Sequence, residues 1–191
     1  KRDPSPVAIG PATQPLPRPI SDPRALVILY SGNWGAAHDY RTFVESYRRH
    51  HHEGSGRFIL WLNAVGAAVG EVETALRLHD LPFISGKPVA LDQLASLLVT
   101  PDAHLVTLSD PFVGFVLPSK VYGCIASRKA VLFVGSERSD VHELCAASET
   151  AYERVDVGDI AACAAALERI ADAVSAAKFK QAQAGAPSPS T

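Results

Sequence analysis

Methionine is absent from this 191-residue sequence, which begins at Lys1. Translation starts with methionine, and its removal before a residue as large as lysine is not expected. We therefore expect that Lys1 is not the natural start and that the sequence is part of a longer chain.

Cysteine and long apolar runs are also scarce. The three cysteines, Cys124, Cys145 and Cys163, are odd in number and lack the spacing of a zinc site, which predicts free thiols in a reducing compartment. No apolar run approaches the roughly 18–20 residues that span a bilayer, and no signal peptide opens the sequence. These features predict a globular protein of the cytoplasm.

A strong net charge and several widespread catalytic motifs are missing as well. The net charge of −2 gives no electrostatic reason to expect nucleic acid as a partner. The first glycine-rich loop reads Gly32-x-x-Gly35 instead of the dinucleotide fingerprint, and no Walker A, Gly-x-Ser-x-Gly or His-Glu-x-x-His motif occurs. The His50–His52 run follows two arginines and is interpreted as a solvated helix end, so we predict no metal and no cofactor.

Proline and small polar residues divide the chain. Half of the 14 prolines fall within residues 1–23, which predicts an extended Pro-rich linker. Residues 177–191 have the composition of a disordered tail. The segment 24–176 between them is predicted to be one Rossmann-like nucleotide-sugar-binding domain.

Short apolar runs alternate with helical patterns across that domain. Tyr40, Phe43, Val44 and Tyr47 share one helix face, and Asp140 is predicted to cap a later helix. Continuously apolar strands are typical of parallel sheets buried on both faces. The sequence therefore predicts an α/β fold, a doubly wound parallel sheet of about six strands. The candidate strands are 26–30, 58–62, 81–84, 103–108, 130–134 and 152–156.

Two segments pair a buried strand with a loop and a helix start, a geometry that presents backbone N–H groups to a phosphate. One loop carries Gly32 and Gly35, which are equally consistent with a structural turn. The other carries Ser119 and Lys120, which are also consistent with a helix cap and a solvated charge. The residues alone leave both alternatives open.

The sequence Pro118-Ser119-Lys120-Val121-Tyr122-Gly123, the apolar strand 130–134 and the segment 27–39 together carry a resemblance. They resemble the C-terminal, donor-binding domain of a GT-B fold, family 4-like (group 1) glycosyltransferase of the polysaccharide-assembly branch, over residues 24–175. The resemblance implies a UDP-linked nucleotide-sugar donor, no bound metal, and a missing N-terminal acceptor-binding domain; it is compatible with peripheral membrane association of the full-length protein. The donor-binding residues that it implies are Gly32, Asn33, Trp34, Gly35, His38, Gly114, Ser119 and Lys120.

The sequence departs from this family in its carboxylates. Many relatives carry two glutamates in this region, where Phe112 and Lys120 stand here, and no acidic residue occurs between Asp110 and Glu137. Catalytic residues are therefore not assigned, and the isolated chain is expected to be inactive. A non-catalytic binding domain and half of a sugar-nucleotide epimerase remain alternatives. We also expect Trp34, Phe112 and Phe115 to lie near solvent, facing the missing domain.

Overall fold

The computed structural model describes residues 7–184 and contains a six-stranded sheet in which all strands are parallel. The spatial order β3-β2-β1-β4-β5-β6 is that of a doubly wound Rossmann-like sheet, so the predicted fold class is confirmed. The strands are β1 (Leu26–Asn33), β2 (Phe58–Val65), β3 (Phe83–Gly86), β4 (Ala103–Thr107), β5 (Ala130–Val134) and β6 (Tyr152–Val155).

Helices connect successive strands and cover the sheet. They are α1 (Arg41–His52), α2 (Val69–Leu78), α3 (Leu94–Val99), α4 (Lys120–Ala126), α5 (Asp140–Ala146) and α6 (Ile160–Ala184), with 3-10 turns at Leu91–Gln93 and Asp110–Phe112. Within residues 7–184, none of these helices combines the length and the apolar character that crossing a membrane requires.

Strand β1 lies at the centre of the sheet because both of its faces are apolar. Leu26, Ile28 and Tyr30 join the core beneath α1 and α6. Val27 and Leu29 point to the other face, where they contact Trp61 and Leu97. A parallel strand of this kind is stable only when both faces are covered.

The proline-rich N-terminal segment covers part of that second face. Residues 7–25 contain neither helix nor strand, while Leu16 and Ile20 pack against the cluster of Val27 and Leu29. The backbone N–H of Leu16 donates to Thr100 Oγ1 at 2.9 Å. The segment therefore lies along the domain surface; residues 1–6 of the predicted linker lie outside the described residues.

Three local predictions are corrected. Helix α6 continues to Ala184, so residues 177–184 are helical and only residues 185–191 of the predicted tail remain, outside the described part of the chain. The cap of α5 is Ser139, whose hydroxyl accepts from the N–H of His142 at 3.3 Å, and Asp140 is the first helical residue. His50 is buried, because α6 packs over this end of α1 and places Glu168 against its ring.

Candidate functional site

The strand order reverses between β1 and β4, and a cavity of about 280 Å³ lies at the carboxyl ends of β1 and β2, lined also by α3 and α4, the helices before and after β4. Ligands of open α/β sheets bind in the crevice at such a switch point. The described residues that line the cavity are Val7, Ser31, Gly32, Asn63, Pro88, Val89, Leu94, Leu97, Leu98, Ser119, Lys120, Tyr122 and Gly123. Three of the predicted site residues, Gly32, Ser119 and Lys120, therefore meet in one place.

The loop after β1 is held in place by the loop after β2. The N–H of Trp34 donates to the carbonyl of Val65 at 2.7 Å, and the N–H of Ala68 donates to the carbonyl of Trp34 at 3.1 Å. Gly66 has a φ of +119°, and a Cβ at this position would stand 2.3 Å from Asn33 Oδ1. The close approach of the two loops therefore requires glycine here and fixes Asn33 at the rim of the sheet.

Trp34 lies below the site and is not at the surface. Its side chain is fully buried and stacks on the Tyr30 ring with centroids 3.7 Å apart. The prediction that Trp34 lies near solvent is wrong, because the aromatic ring at the end of β1 provides a packing partner that the loop sequence does not reveal. Phe112 is half-buried, and Phe115 is 86% exposed, as expected.

Lys120 is the first residue of α4, and its side chain reaches the ring of Tyr30. Nζ lies 3.4 Å from the ring centroid, so Tyr30 is sandwiched between this amine and the indole of Trp34. Nζ is buried and has no hydrogen-bond partner among the described residues. Burial lowers the pKa of the Lys120 amine to about 7, and the charge interaction with the Cys124 thiol opposes this shift only in part.

Ser119 stands at the N-cap position of α4 but does not act as a cap. Its backbone has helical dihedral angles (φ −56°, ψ −24°), and its hydroxyl makes no capping hydrogen bond. The expected cap is therefore wrong at this position, since a cap needs an extended backbone to direct the side chain at the following N–H groups. The exposed hydroxyl lines the cavity instead.

The other predicted residues do not line the cavity. His38 bonds through Nδ1 to the carbonyl oxygen of Thr107, and burial together with the charge of Lys120 lowers its pKa. Asn33 and Gly35 continue the loop after Gly32. Gly114, with a φ of +80°, lies in the exposed loop after Asp110–Phe112.

Asn63 is a site residue that sequence reasoning missed. It is buried at the carboxyl end of β2, where its Nδ2 donates to the carbonyl of Lys87 at 2.6 Å and its Oδ1 accepts from the N–H of Val89 at 3.4 Å. These bonds hold the loop after β3 against the cavity. The signal in the sequence is a lone amide directly after a continuously apolar strand.

The cavity walls differ sharply in polarity. Helix α3 provides an apolar wall, formed by Leu94, Leu97 and Leu98. Tyr122 adds an aromatic ring that is 40% exposed. Among the described lining residues Lys120 is the one charged side chain, and none is acidic. The arrangement suits a ligand with an apolar, planar part and an anionic part.

Comparisons with known proteins support the fold without identifying the chain by sequence. No protein-family model matches the chain, and no curated protein matches it. The structure is similar to the catalytic domain of cholesterol-α-glucosyltransferase from Helicobacter pylori, with a TM-score of 0.58, 11% identity, and coverage of 82% of this chain and 98% of that one.

A second similar structure is α,α-trehalose 6-phosphate synthase from Burkholderia multivorans, with a TM-score of 0.52 and 18% identity. This alignment covers 77% of the chain described here and 35% of the synthase, so the chain corresponds to about a third of that enzyme. Identities this low establish the architecture alone. The chain thus has the Rossmann-like α/β fold of a domain of the GT-B glycosyltransferases.

Proposed function

We propose that this chain is the donor-binding domain of a glycosyltransferase that moves a sugar from a UDP-linked nucleotide-sugar to a glycan or lipid-linked acceptor. The cavity at the carboxyl ends of β1 and β2, with the unpaired Lys120 amine beside it, carries the proposal. The GT-B fold supports the reaction class, and the sequence resemblance supports the donor-binding half.

The diphosphate of the donor would lie between Gly32 and Ser119. Here Lys120 would exchange its contact with the Tyr30 ring for phosphate oxygens, and a charge-assisted contact is stronger than the roughly 0.5–2 kcal/mol of a cation–π pair. The negative charge of a bound diphosphate would favour the protonated form of the Lys120 amine. The leaving group of the transfer is a nucleoside diphosphate, so the ammonium group at this point would also stabilise the charge that develops on it. Lys120 thus binds the donor and assists its departure.

The base of the nucleotide would pack on the apolar wall formed by Leu94, Leu97 and Leu98. The loop of Lys87 and Val89, held by Asn63, would provide backbone groups that contact the edge of the base. An acceptor would be bound by a second, N-terminal domain across the cleft. The exposed Phe115 near the same sheet edge is available to such a domain.

Calorimetry with UDP and UDP-glucose, with NAD⁺ as the comparison ligand, tests the proposal. We expect UDP and UDP-glucose to bind with millimolar to high micromolar Kd and NAD⁺ to bind more weakly. Lys120→Glu should abolish binding by charge reversal, and Lys120→Ala should weaken it by about tenfold, or about 1.4 kcal/mol. Lys180→Glu, a change of the same type on the exposed end of α6, is the matched control. Equal affinity for UDP in Lys120→Glu and in the control would refute the assignment.

A non-catalytic nucleotide-sugar-binding domain is the second candidate. It is favoured by the lack of acidic side chains among the described lining residues, since transferases of the resembled family place carboxylates near the donor. The two candidates differ in turnover: an active enzyme containing this domain releases UDP from UDP-glucose in the presence of acceptor, whereas a binding domain retains affinity without release.

A further inference from the structure

The Lys120 side chain has an environment unlike that of the other described lysines. Nζ is buried without a hydrogen-bond partner, whereas Lys178 Nζ pairs with the Asp102 carboxylate at 2.7 Å, Lys129 is half-buried, and Lys87 and Lys180 are exposed. A buried ammonium group without a counter-ion is costly, so such an amine favours its neutral form. Neutral lysine amines are nucleophiles.

The groups that face this amine do not restore its charge. Tyr30 of β1 presents its ring, Cys124 lies one turn further along α4, and burial raises the pKa of the Cys124 thiol. His38 before α1 and His104 of β4 interact with the amine, and burial lowers the pKa of each imidazole, which keeps both neutral at pH 7. No carboxylate among the described residues pairs with Nζ.

We propose that Lys120 is a carbonyl-reactive residue that forms an imine with small aldehydes entering the cavity at the carboxyl ends of β1 and β2. The lone pair of Nζ attacks the carbonyl carbon, and the C–N bond replaces one C–O bond as a carbinolamine forms. Loss of water then gives the neutral imine, and both amine hydrogens leave with the carbonyl oxygen. No oxidant, reductant or cofactor is consumed.

The cavity determines which aldehydes react. Its volume of about 280 Å³ and its wall of Leu94, Leu97 and Leu98 suit an aldehyde with a compact aromatic or aliphatic body. A neutral imine requires no counter-ion and is therefore compatible with burial beside Tyr30. Since Nζ is held by no hydrogen bond, the side chain can turn from the ring into the cavity that it already lines.

This reactivity does not depend on nucleotide binding and is tested with the unmodified chain. The protein is treated with a small excess of pyridoxal at pH 7, the imine is trapped with borohydride, and labelled lysines are mapped by peptide mass spectrometry. Lys120 should be labelled at least about tenfold faster than Lys87 or Lys180, because ordinary lysines are almost entirely protonated at this pH. Labelling that spreads evenly over the exposed lysines overturns the proposal.

The pH profile provides a second readout. The rate of labelling at Lys120 should level off above about pH 8, whereas the rate for free Nα-acetyllysine, measured in parallel, should keep rising toward about pH 10. Lys120→Arg keeps a cation but should lose the fast phase, and Lys180→Arg should retain it. A fast phase that persists in Lys120→Arg, or a Lys120 rate that parallels the exposed lysines at every pH, excludes the assignment.

Discussion

At the scale of single residues, Lys120 places an amine where water does not reach it. Its contact with Tyr30 compensates only part of the lost hydration, because Nζ has no hydrogen-bond partner among the described residues. Perturbed groups of this kind at a cavity are typical of functional sites. The cost should therefore be measurable in the unfolding free energy.

We expect Lys120→Met to stabilise the fold by about 1–3 kcal/mol at pH 6, because a thioether of similar shape fills the space without needing hydration. The pKa of Lys120 in the folded chain is about 7, below the ordinary value for lysine. The free-energy cost of burying the ammonium group is therefore complete below pH 7 and is relieved as pH rises toward the pKa of Lys120 in the unfolded chain. The gain measured by urea denaturation should accordingly shrink between pH 7 and 10. A gain independent of pH would show that packing, not charge burial, is the cause.

His50 provides an independent pH effect at the opposite end of the sheet. Its Nδ1–H donates to the Glu168 carboxylate and its Nε2 accepts the N–H of Phe58 at 3.1 Å, so the neutral ring satisfies both partners. Burial lowers the pKa of His50, and the hydrogen bond to Glu168 opposes this shift in part. Protonation removes the acceptor for Phe58.

A histidine whose pKa is lowered by folding contributes stability above about pH 6.5, its pKa in the unfolded chain. This contribution is lost as pH falls below that value. We expect the unfolding free energy of the chain to decrease as pH falls below 6.5. His50→Leu should be less stable at pH 7 and should show a shallower pH dependence, whereas His52→Leu, at an exposed position of the same helix, should behave like the parent. Parallel pH curves for the parent and His50→Leu would contradict this assignment.

Residue types and spacing predicted where Lys120 and Gly32 lie but not which way their neighbours face. The motif around Ser119 placed a helix start correctly, yet the direction of the Lys120 side chain depends on Tyr30, which is distant in sequence. The same holds for His50, whose burial is caused by α6. Polar residues on apolar faces are interpretable only when the packing partner is known.

At the scale of elements, the apolar runs predicted the presence of the strands more accurately than the residues at which the strands end. Strands β1 and β2 extend beyond 26–30 and 58–62 because Ser31, Gly32 and Asn33 continue the parallel pairing opposite Asn63, Ala64 and Val65. Each extension contains polar residues or glycine, namely Ser31, Gly32 and Asn33 in β1 and Asn63 in β2, which interrupt the apolar runs, so hydrophobicity did not reveal the extensions. The position of α1 followed from its 3.6-residue periodicity.

Ser139 and Asp140 are adjacent in the sequence, which does not show by itself which of them caps α5. Ser139 has an extended backbone and accepts the N–H of His142, whereas Asp140 is inside the first turn. Ser139→Ala should destabilise the chain by about 1 kcal/mol, and Asp140→Ala by less, about 0.3–1 kcal/mol through the helix dipole. Urea denaturation of the two variants gives the comparison; a larger loss for Asp140→Ala would restore Asp140 as the cap.

At the scale of the whole molecule, Asp102 connects the two terminal segments to the sheet. Its carboxylate accepts from the N–H of Val27 at 2.8 Å, from the Arg18 guanidinium at 3.2–3.3 Å and from Lys178 Nζ at 2.7 Å. The N-terminal segment, β1 and the end of α6 thus meet at one buried group. The proline content predicted a segment without helix or strand, but composition carries no information on this long-range anchor.

Burial opposes ionisation of Asp102, yet the hydrogen bonds from Lys178, Val27 and Arg18 outweigh it and hold the pKa of the carboxyl below its usual value. The ion pairs are therefore present at neutral pH and are lost as pH falls through this lowered pKa. Because Val7 lines the cavity at the far end of the same segment, release of Arg18 should also loosen one wall of the candidate site.

We expect Asp102→Asn to expose residues 7–20 to proteolysis and to accelerate their amide hydrogen exchange. The loss in unfolding free energy should be about 1–3 kcal/mol, because the N–H of Val27 loses a charged acceptor, while Arg18 and Lys178 are partly exposed and are screened by solvent. The matched control is Asp172→Asn on α6, whose exposed carboxylate pairs with Arg57 at 2.6 Å and should contribute less than about 1 kcal/mol. Hydrogen exchange resolves the effect by segment: protection should fall in residues 7–20 and near Lys178 while β4 and β5 remain protected. Uniform loss of protection across the sheet would instead show that Asp102 supports the global fold and does not act as the local anchor of the terminal segments.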